Sequence, residues 1–132
     1  MQRKCIICVD DEKIVLDSLQ AQLNRHFGNQ FNYELAESGE EALEILDELH
    51  SSNYSIIVII SDWLMPNMKG DEFLLKAHAK FPRVHKLMLT GHADYHAIGY
   101  LTSEIKDFRV IYKPWQESQL VEAISVGLEY HN

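Results

Sequence analysis

Short apolar runs alternate with longer amphipathic stretches along the whole chain. The apolar runs end at Val9, near Glu37, and at Ser61, Leu89 and Tyr112. Short apolar runs are typical of buried strands, and the stretches between them carry helical periodicity. The longest run, Ile56 to Ile60, indicates a central strand that is covered on both sides. The pattern therefore predicts an α/β fold, a doubly wound sheet of five parallel strands with five helices on its two faces.

Two of the predicted helices are marked by an apolar stripe or by a capping signal. The first has a stripe at four-residue spacing, formed by Val15, Leu19, Leu23 and Phe27. The second begins with a capping box, in which Ser38 is followed three residues later by Glu41. The inward residues that follow this box are Ala42, Leu43, Leu46 and Leu49.

The other three helices are predicted from apolar spacing and from helix breakers. The spacing predicts a third helix over Gly70 to Phe81, ended by Pro82. Its inward residues are Phe73, Leu74, Ala77 and Phe81. A weaker fourth helix runs from Ala93 to about Ile105 and is interrupted by Gly99. The stripe of the fifth consists of Leu120, Ala123, Ile124 and Leu128.

Length and composition restrict the class of protein. The 132 residues suffice for one domain, and 46% hydrophobic with 24% charged residues is a globular composition. Acidic residues outnumber basic ones by 20 to 12, which argues against a nucleic-acid-binding surface on this domain. No apolar run approaches the ~20 residues of a membrane span, and the first residues lack the apolar core of a signal peptide. We therefore expect a single domain over residues 1–132 in the cytoplasm.

The two cysteines, Cys5 and Cys8, have the spacing of some redox and zinc sites. They lie within the first predicted strand, where residues three apart point to opposite faces. A redox pair also requires an exposed loop that leads into a helix. We therefore expect two buried, unpaired thiols.

Polar side chains follow four of the five predicted strands. They are Asp10, Asp11 and Glu12 after the first strand, Asp62 after the third, Thr90 at the end of the fourth and Lys113 after the fifth. The carboxyl ends of parallel strands meet at one edge of the sheet, and this is where open α/β sheets bind ligands. Each piece alone has a structural explanation, such as an acidic helix start, a turn or a solvated lysine. Their coincidence at four strand ends favours a site.

Gathered carboxylates repel one another unless a cation lies between them. Oxygen ligands from few carboxylates, with room for water, are the pattern that Mg²⁺ prefers, and Mg²⁺ held in this way usually also contacts phosphate. Lys113 would add a positive charge and Thr90 a hydroxyl donor for the same anion. The set suits phosphoryl transfer, in which an ionised aspartate is a competent nucleophile.

The same residues resemble the receiver domain of bacterial two-component response regulators over essentially the whole chain. The matching segments are Val9-Asp10-Asp11-Glu12, Ser61 to Gly70, Leu89-Thr90-Gly91 and Lys113-Pro114-Trp115. The resemblance implies a flavodoxin-like sheet with strand order 2-1-3-4-5. It also implies that the chain is either a stand-alone receiver or a piece of a longer regulator.

The resemblance assigns a role to each site residue. Asp62 would accept a phosphoryl group from a phosphohistidine on a sensor histidine kinase or phosphotransfer protein. Asp10, Asp11, Asp62 and the backbone carbonyl of Leu64 would hold Mg²⁺. Thr90 and Lys113 would contact the phosphoryl oxygens, and the Lys113–Pro114 bond would be cis.

The resemblance also implies an output surface. The fourth helix, fifth strand and fifth helix would form it, for an output domain, an effector protein or a homodimer. Pro66 and Gly70 would shape the loop after Asp62.

Two positions depart from the usual receiver pattern or vary within it. Val110 stands three residues before Lys113, where the family often has a switching aromatic residue, and Phe108 and Tyr112 flank it on the same strand face. Either neighbour substitutes, or the switch uses backbone motion alone. Leu64, two residues after Asp62, cannot orient an attacking water, which predicts a longer-lived phosphoryl group.

Several other polar and aromatic residues lie near the predicted site. His92 and His96 have no evident third ligand, so we interpret them as exposed polar residues and not as a metal site. Trp63 and Trp115 flank Asp62 and Lys113, and either cover the site or form a rim for a partner.

Three competing functions are weaker. A phosphatase of the haloacid dehalogenase type requires an aspartate where Leu64 stands, and a flavin carrier requires a phosphate loop that Asp10 and Asp11 would repel. A receiver-like interaction module without phosphorylation typically lacks acidic or lysine positions that are all present here.

Overall fold

The structure is a computed structural model that describes residues 3–92 and 94–130. Five strands alternate with five helices, as the hydrophobic pattern predicts. The strands are β1 (Lys4–Val9), β2 (Asn32–Ala36), β3 (Ser55–Ser61), β4 (His85–Thr90) and β5 (Phe108–Tyr112). The helices are α1 (Lys13–Phe27), α2 (Gly39–Ser51), α3 (Gly70–Lys80), α4 (Tyr95–Glu104) and α5 (Glu117–Tyr130), with a 3₁₀ turn at Gly28–Gln30.

The strands form one parallel sheet in the order β2-β1-β3-β4-β5. This order confirms the predicted flavodoxin-like topology. The chain moves outward in one direction from β1 to β2 and in the other from β3 to β5. The strand order therefore reverses beside β1 and β3, and ligands of open α/β sheets bind at such a point.

The sheet is buried on both faces by two apolar clusters. On one face Cys5, Ile7 and Val9 pack with residues of α2, α3 and α4. On the other face Ile6 and Cys8 pack with residues of α1 and α5. Both cysteines are fully buried and unpaired, and they lie on opposite faces as predicted.

The helix predictions are confirmed with small shifts. The Ser38 side chain accepts a hydrogen bond from the Glu41 N–H, and the Glu41 carboxylate accepts one from the Glu37 N–H. In α1 Leu19, Leu23 and Phe27 are buried as predicted, but Leu16 is the buried residue of the first turn and Val15 is only half-buried. The predicted start of the fourth helix at Ala93 lies outside the described residues, and Gly99 does not interrupt α4. No helix in the described ranges has both the length and the apolar character needed to cross a membrane.

Candidate functional site

Backbone hydrogen bonds bring the two inner carboxylates to the same edge of the sheet. The N–H of Asp10 donates to the Ala36 carbonyl at 3.1 Å, and the N–H of Asp62 donates to the Val9 carbonyl at 2.9 Å. These bonds continue the strand pairing by one residue at the ends of β1 and β3. Asp10 and Asp62 are consequently both buried, with 1% and 6% of their surface exposed.

The three predicted acidic residues form a cluster of ligand atoms. Asp10, Asp11 and Asp62 each offer a carboxylate oxygen, and these oxygens lie within 4.8 Å of one another. Asp11 is exposed, so the cluster opens to solvent on its side. One oxygen of Asp10 accepts from the Glu12 N–H at 2.9 Å and one oxygen of Asp62 accepts from the Trp63 N–H at 2.8 Å, which fixes both carboxylates.

Lys113 places its ammonium group between the two buried carboxylates. Its Nζ donates to Asp10 Oδ2 at 3.1 Å and lies 3.5 Å from Asp62 Oδ1. The Lys113 N–H donates to the Thr90 carbonyl at 2.8 Å, which ties the end of β5 to the end of β4. The Lys113–Pro114 peptide bond is cis, as expected.

The pKa shifts at this edge come first from burial and then from the closeness of its charged groups. Burial raises the pKa of Asp62, the neighbouring Asp10 raises it further, and Lys113 only partly offsets them. Burial also raises the pKa of Asp10, against the Glu12 N–H and Lys113. Burial by itself would lower the pKa of Lys113, but Asp62 and Asp10 outweigh it and the pKa is raised. Two buried carboxylates with one cation therefore leave an excess of negative charge.

The loop between β3 and α3 folds tightly back on Asp62. The Gly70 N–H donates to the Trp63 carbonyl at 2.8 Å, and a Cβ on Gly70 would lie 2.0 Å from the Asp62 carbonyl oxygen. Only glycine permits this approach. Asn67 adopts a left-handed conformation with φ 71°. Leu64 lies in this loop with its side chain exposed.

Thr90 is buried at the end of β4, beside Lys113. Its Oγ1 accepts from the His92 N–H at 3.1 Å and donates to the His92 carbonyl at 3.3 Å. The hydroxyl is thus engaged by its own loop, and within the described residues it has no bond to a carboxylate of the cluster. His92 and His96 are exposed. The structure gives them no third ligand among the described residues.

The two tryptophans pack against the core beside the site. Trp63 is half-buried, and Lys69 lies over its ring with Nζ 5.6 Å from the centroid. Trp115 is half-buried on the opposite face, and its Nε1 donates to Gln22 Oε1 at 2.7 Å. Sequence reasoning missed Gln22, because a single polar residue on an amphipathic helix carries no signal of a distant partner.

The donor set at this edge suits magnesium. It consists of carboxylate oxygens with one side open to solvent, and Mg²⁺ takes few carboxylates together with water. Zinc is bound by nitrogen, sulfur or carboxylate ligands, and structural zinc sites favour Cys and His. Asp10, Asp11 and Asp62 could therefore hold Mg²⁺, which would balance the excess negative charge.

Comparison with known proteins identifies the family. Residues 6–125 match the response regulator receiver domain. The chain is 26% identical to the hydrogenase transcriptional regulatory protein HoxA of Cupriavidus necator, over 94% of this chain and 24% of HoxA. It is 28% identical to the transcriptional regulatory protein FixJ of Rhizobium meliloti, over 92% of this chain and 55% of FixJ. The chain thus spans less than two thirds of either regulator.

A solved structure agrees with the sequence matches. A response regulator receiver domain protein (CheY-like) of Methanospirillum hungatei is 29% identical and has a TM-score of 0.84, over 97% of this chain and 95% of that one. The family is one of signalling domains and not a classical enzyme family. The sheet order, the acidic edge and the match over residues 6–125 together show that this chain belongs to the response regulator receiver domains of two-component signalling.

Proposed function

We propose that Asp62 accepts a phosphoryl group from the phosphohistidine of a sensor histidine kinase or phosphotransfer protein, in a Mg²⁺-dependent reaction. The observation that carries this proposal is the juxtaposition of three carboxylates within 4.8 Å with the Lys113 ammonium between two of them. Among the three, we choose Asp62 because the resemblance of the segment Ser61 to Gly70 to receiver domains implies this role for it.

The side chains around Asp62 divide the work of the transfer. An Asp62 carboxylate oxygen attacks phosphorus, an acyl phosphate bond forms, and the phosphorus–nitrogen bond of phosphohistidine breaks. The leaving imidazole takes up a proton from solvent. Bound Mg²⁺ would neutralise charge on the transferring oxygens, held by Asp10, Asp11, Asp62 and the Leu64 carbonyl. Lys113 would contact the phosphoryl oxygens.

Thr90 would report the phosphoryl group to the rest of the domain. Its hydroxyl exchanges the His92 bonds for a bond to a phosphoryl oxygen, and the loop after β4 moves with it. Thr90 pairs with Tyr112 in the sheet register, and Tyr112 is 47% exposed. Val110 carries no ring, so Tyr112 is the aromatic residue of β5 that lies beside Thr90.

The output surface consists of α4, β5 and α5. Tyr95 and Tyr100 on α4 are exposed and lie on this surface together with Tyr112. Such exposed aromatic side chains suit a protein partner. We propose that phosphorylation alters this surface for an output domain, an effector protein or a second copy of the chain. Family membership also supports a cytoplasmic location.

Incubation with acetyl phosphate and Mg²⁺, followed by intact mass measurement, tests the proposal. The wild-type chain is expected to gain one phosphoryl group, and to lose this gain when EDTA is present or when Asp62 is replaced (Asp62→Asn). Asp17→Asn is the matched control, because Asp17 is exposed on α1 and pairs with Lys13 at the surface. No adduct on the wild-type chain would favour an interaction module that works without phosphorylation.

A further inference from the structure

Lys113 follows the last residue of β5, where the chain leaves the sheet. The Lys113 N–H bond to Thr90 is the last bond that ties β5 to β4, and α5 does not begin until Glu117. Two contacts hold the chain between these points: the Gln116 N–H donates to Gln119 Oε1 at 2.8 Å, and the Trp115 side chain bonds to α1.

Trp115 makes the contact with α1, two residues after Lys113. Its ring is half-buried and packs against the apolar cluster on the α1 and α5 face. Its indole N–H donates to Gln22 Oε1 at 2.7 Å, on α1. A buried indole N–H requires such a partner, and one hydrogen bond of this kind changes an equilibrium by about five- to tenfold.

The helix that holds Trp115 is the one that follows the acidic loop. α1 starts immediately after Glu12, whose carbonyl accepts from the N–H groups of Val15 and Leu16. The carboxylate of Asp10 in turn accepts from the Glu12 N–H. α1 therefore joins the loop that carries Asp10 to the loop that carries Lys113.

A second contact joins α1 to the start of α5. Arg25, three residues after Gln22, pairs with Glu117 at the start of α5. This pair has two hydrogen bonds, from Arg25 Nε and Nη2 to the Glu117 carboxylate, but it holds the first residue of α5 and not the loop that follows Lys113. The Gln22–Trp115 bond, which is partly buried, is the contact able to fix the loop.

We propose that Gln22 and Trp115 are positioning residues, which hold the Lys113 backbone so that the ammonium group meets the phosphoryl oxygens on Asp62. This proposal rests on the proposed phosphorylation of Asp62. Neither residue touches the reacting atoms. Loss of their bond is expected to slow phosphoryl transfer while Mg²⁺ binding, which depends on the carboxylates, stays the same.

A double-mutant cycle tests the proposal. The variants are Gln22→Met, which removes the acceptor, Trp115→Phe, which removes the donor, and the two combined. Each single variant is expected to lower the maximal rate with acetyl phosphate at saturating Mg²⁺ by about fivefold. The double variant should be no slower than either single one, because the same bond is lost in all three.

Two further measurements separate positioning from a general loss of packing. Gln22→Glu keeps an acceptor oxygen and is expected to retain the wild-type rate. The Mg²⁺ dissociation constant, followed by calorimetry, should stay within about twofold of wild type in every variant. Arg25→Gln is the matched control on the same helix, and it should also stay within about twofold in rate, because its partner Glu117 lies in α5 and not in the loop.

The outcomes are distinguishable. A wild-type chain that takes up no phosphoryl group overturns the proposed function and this inference with it. A phosphorylated wild-type chain with unchanged Gln22→Met and Trp115→Phe rates overturns the positioning role alone. Additive losses in the double variant, an equal loss in Gln22→Glu, or a parallel fall in Mg²⁺ affinity also overturn it.

Discussion

Charged side chains are buried at both ends of β4 and its neighbouring strands, but their partners differ between the two ends. At the start of β4, His85 pairs with Asp107, and the Lys86 ammonium donates to the Phe81 carbonyl at 2.6 Å and to His78 Nδ1 at 3.1 Å. At the carboxyl ends of the strands, three carboxylates cluster beside the Lys113 ammonium. The first end is held by partners within the chain, whereas the second has an excess of negative charge.

This contrast separates a polar cluster that is closed by packing from one that is open to solvent. The His85 ring packs closely against Gly127 of α5. A Cβ on Gly127 would lie 2.4 Å from the His85 Cδ2 atom, so a larger residue at this position would displace the ring. His85 Nε2 and one Asp107 oxygen are buried without a hydrogen-bond partner among the described residues. The Asp10, Asp11 and Asp62 cluster opens to solvent through Asp11 and can admit an ion.

Removal of the ammonium at the acidic edge should have the largest effect. Lys113→Met deletes the only cation that the described structure places between Asp10 and Asp62. The rate of phosphorylation by acetyl phosphate is expected to fall about a hundredfold, as for other preorganised charge contacts. Mass spectrometry over time measures the rate. Lys76→Met, a surface lysine paired with Glu72, is the control and should retain the wild-type rate.

Removal of a partner at the opposite end should affect stability and not phosphorylation. Asp107→Ala leaves the fully buried His85 without its carboxylate, which is expected to lower the free energy of unfolding by about 2 kcal/mol. Urea denaturation measures the loss. The exposed control Asp47→Ala should cost less than about 0.5 kcal/mol. Two results would remove the distinction between the two ends: an Asp107→Ala variant as stable as wild type, or an Asp107→Ala variant that is phosphorylated more slowly than wild type.

The buried lysine predicts a pH dependence of stability. Burial lowers the pKa of Lys86 from 10.5 to about 8, so between these values the unfolded chain binds more protons than the folded one. Lys86 therefore makes the folded state more stable as pH rises through this window. Between about pH 7 and about pH 10, the free energy of unfolding of the wild-type chain is expected to rise by about 2 kcal/mol relative to that of Lys86→Met.

The comparison with Lys86→Met cancels other groups that titrate in this range. Burial raises the pKa of Cys5 to about 11 and of Cys8 to about 12, and both thiols oppose the gain equally in the two proteins. Urea midpoints at several pH values give the difference. A difference that is constant with pH would show that Lys86 titrates alike in the folded and unfolded chains.

The smallest expected effect concerns the lifetime of the phosphoryl group. Leu64 is exposed beside Asp62 and offers no side-chain hydrogen bond to an attacking water. Leu64→Asn is expected to speed dephosphorylation about fivefold, the effect of one hydrogen bond. Leu64→Met is the apolar control and should match wild type. Slower dephosphorylation of Leu64→Asn would contradict this role.

The sequence predicted the acidic edge better than the opposite end for a physical reason. Asp10, Asp62 and Lys113 follow apolar runs directly, so the rule that ligands bind at the carboxyl ends of parallel strands places them together. The five strands followed from hydrophobic spacing and the capping box at Ser38 from capping chemistry, whereas the strand order was implied by the resemblance to receiver domains.

Contacts between distant side chains could not be predicted. His85 and Lys86 are polar residues at the start of a strand, where sequence patterns predict exposure, yet both are fully buried. Their partners Asp107 and Phe81 come from loops whose paths no periodicity specifies. The Gln22–Trp115 bond joins residues that are far apart in the sequence, and it depends on how α1 packs on the sheet.

Chemical mapping of the phosphorylated residue tests the central claim most directly. Borohydride reduction converts an aspartyl phosphate to homoserine, and fragment mass spectrometry locates it after treatment with acetyl phosphate. We predict homoserine at residue 62 alone, and only when Mg²⁺ is present. Homoserine at residue 10 or 11, none at all, or an equal yield at residue 62 without Mg²⁺ would contradict the account.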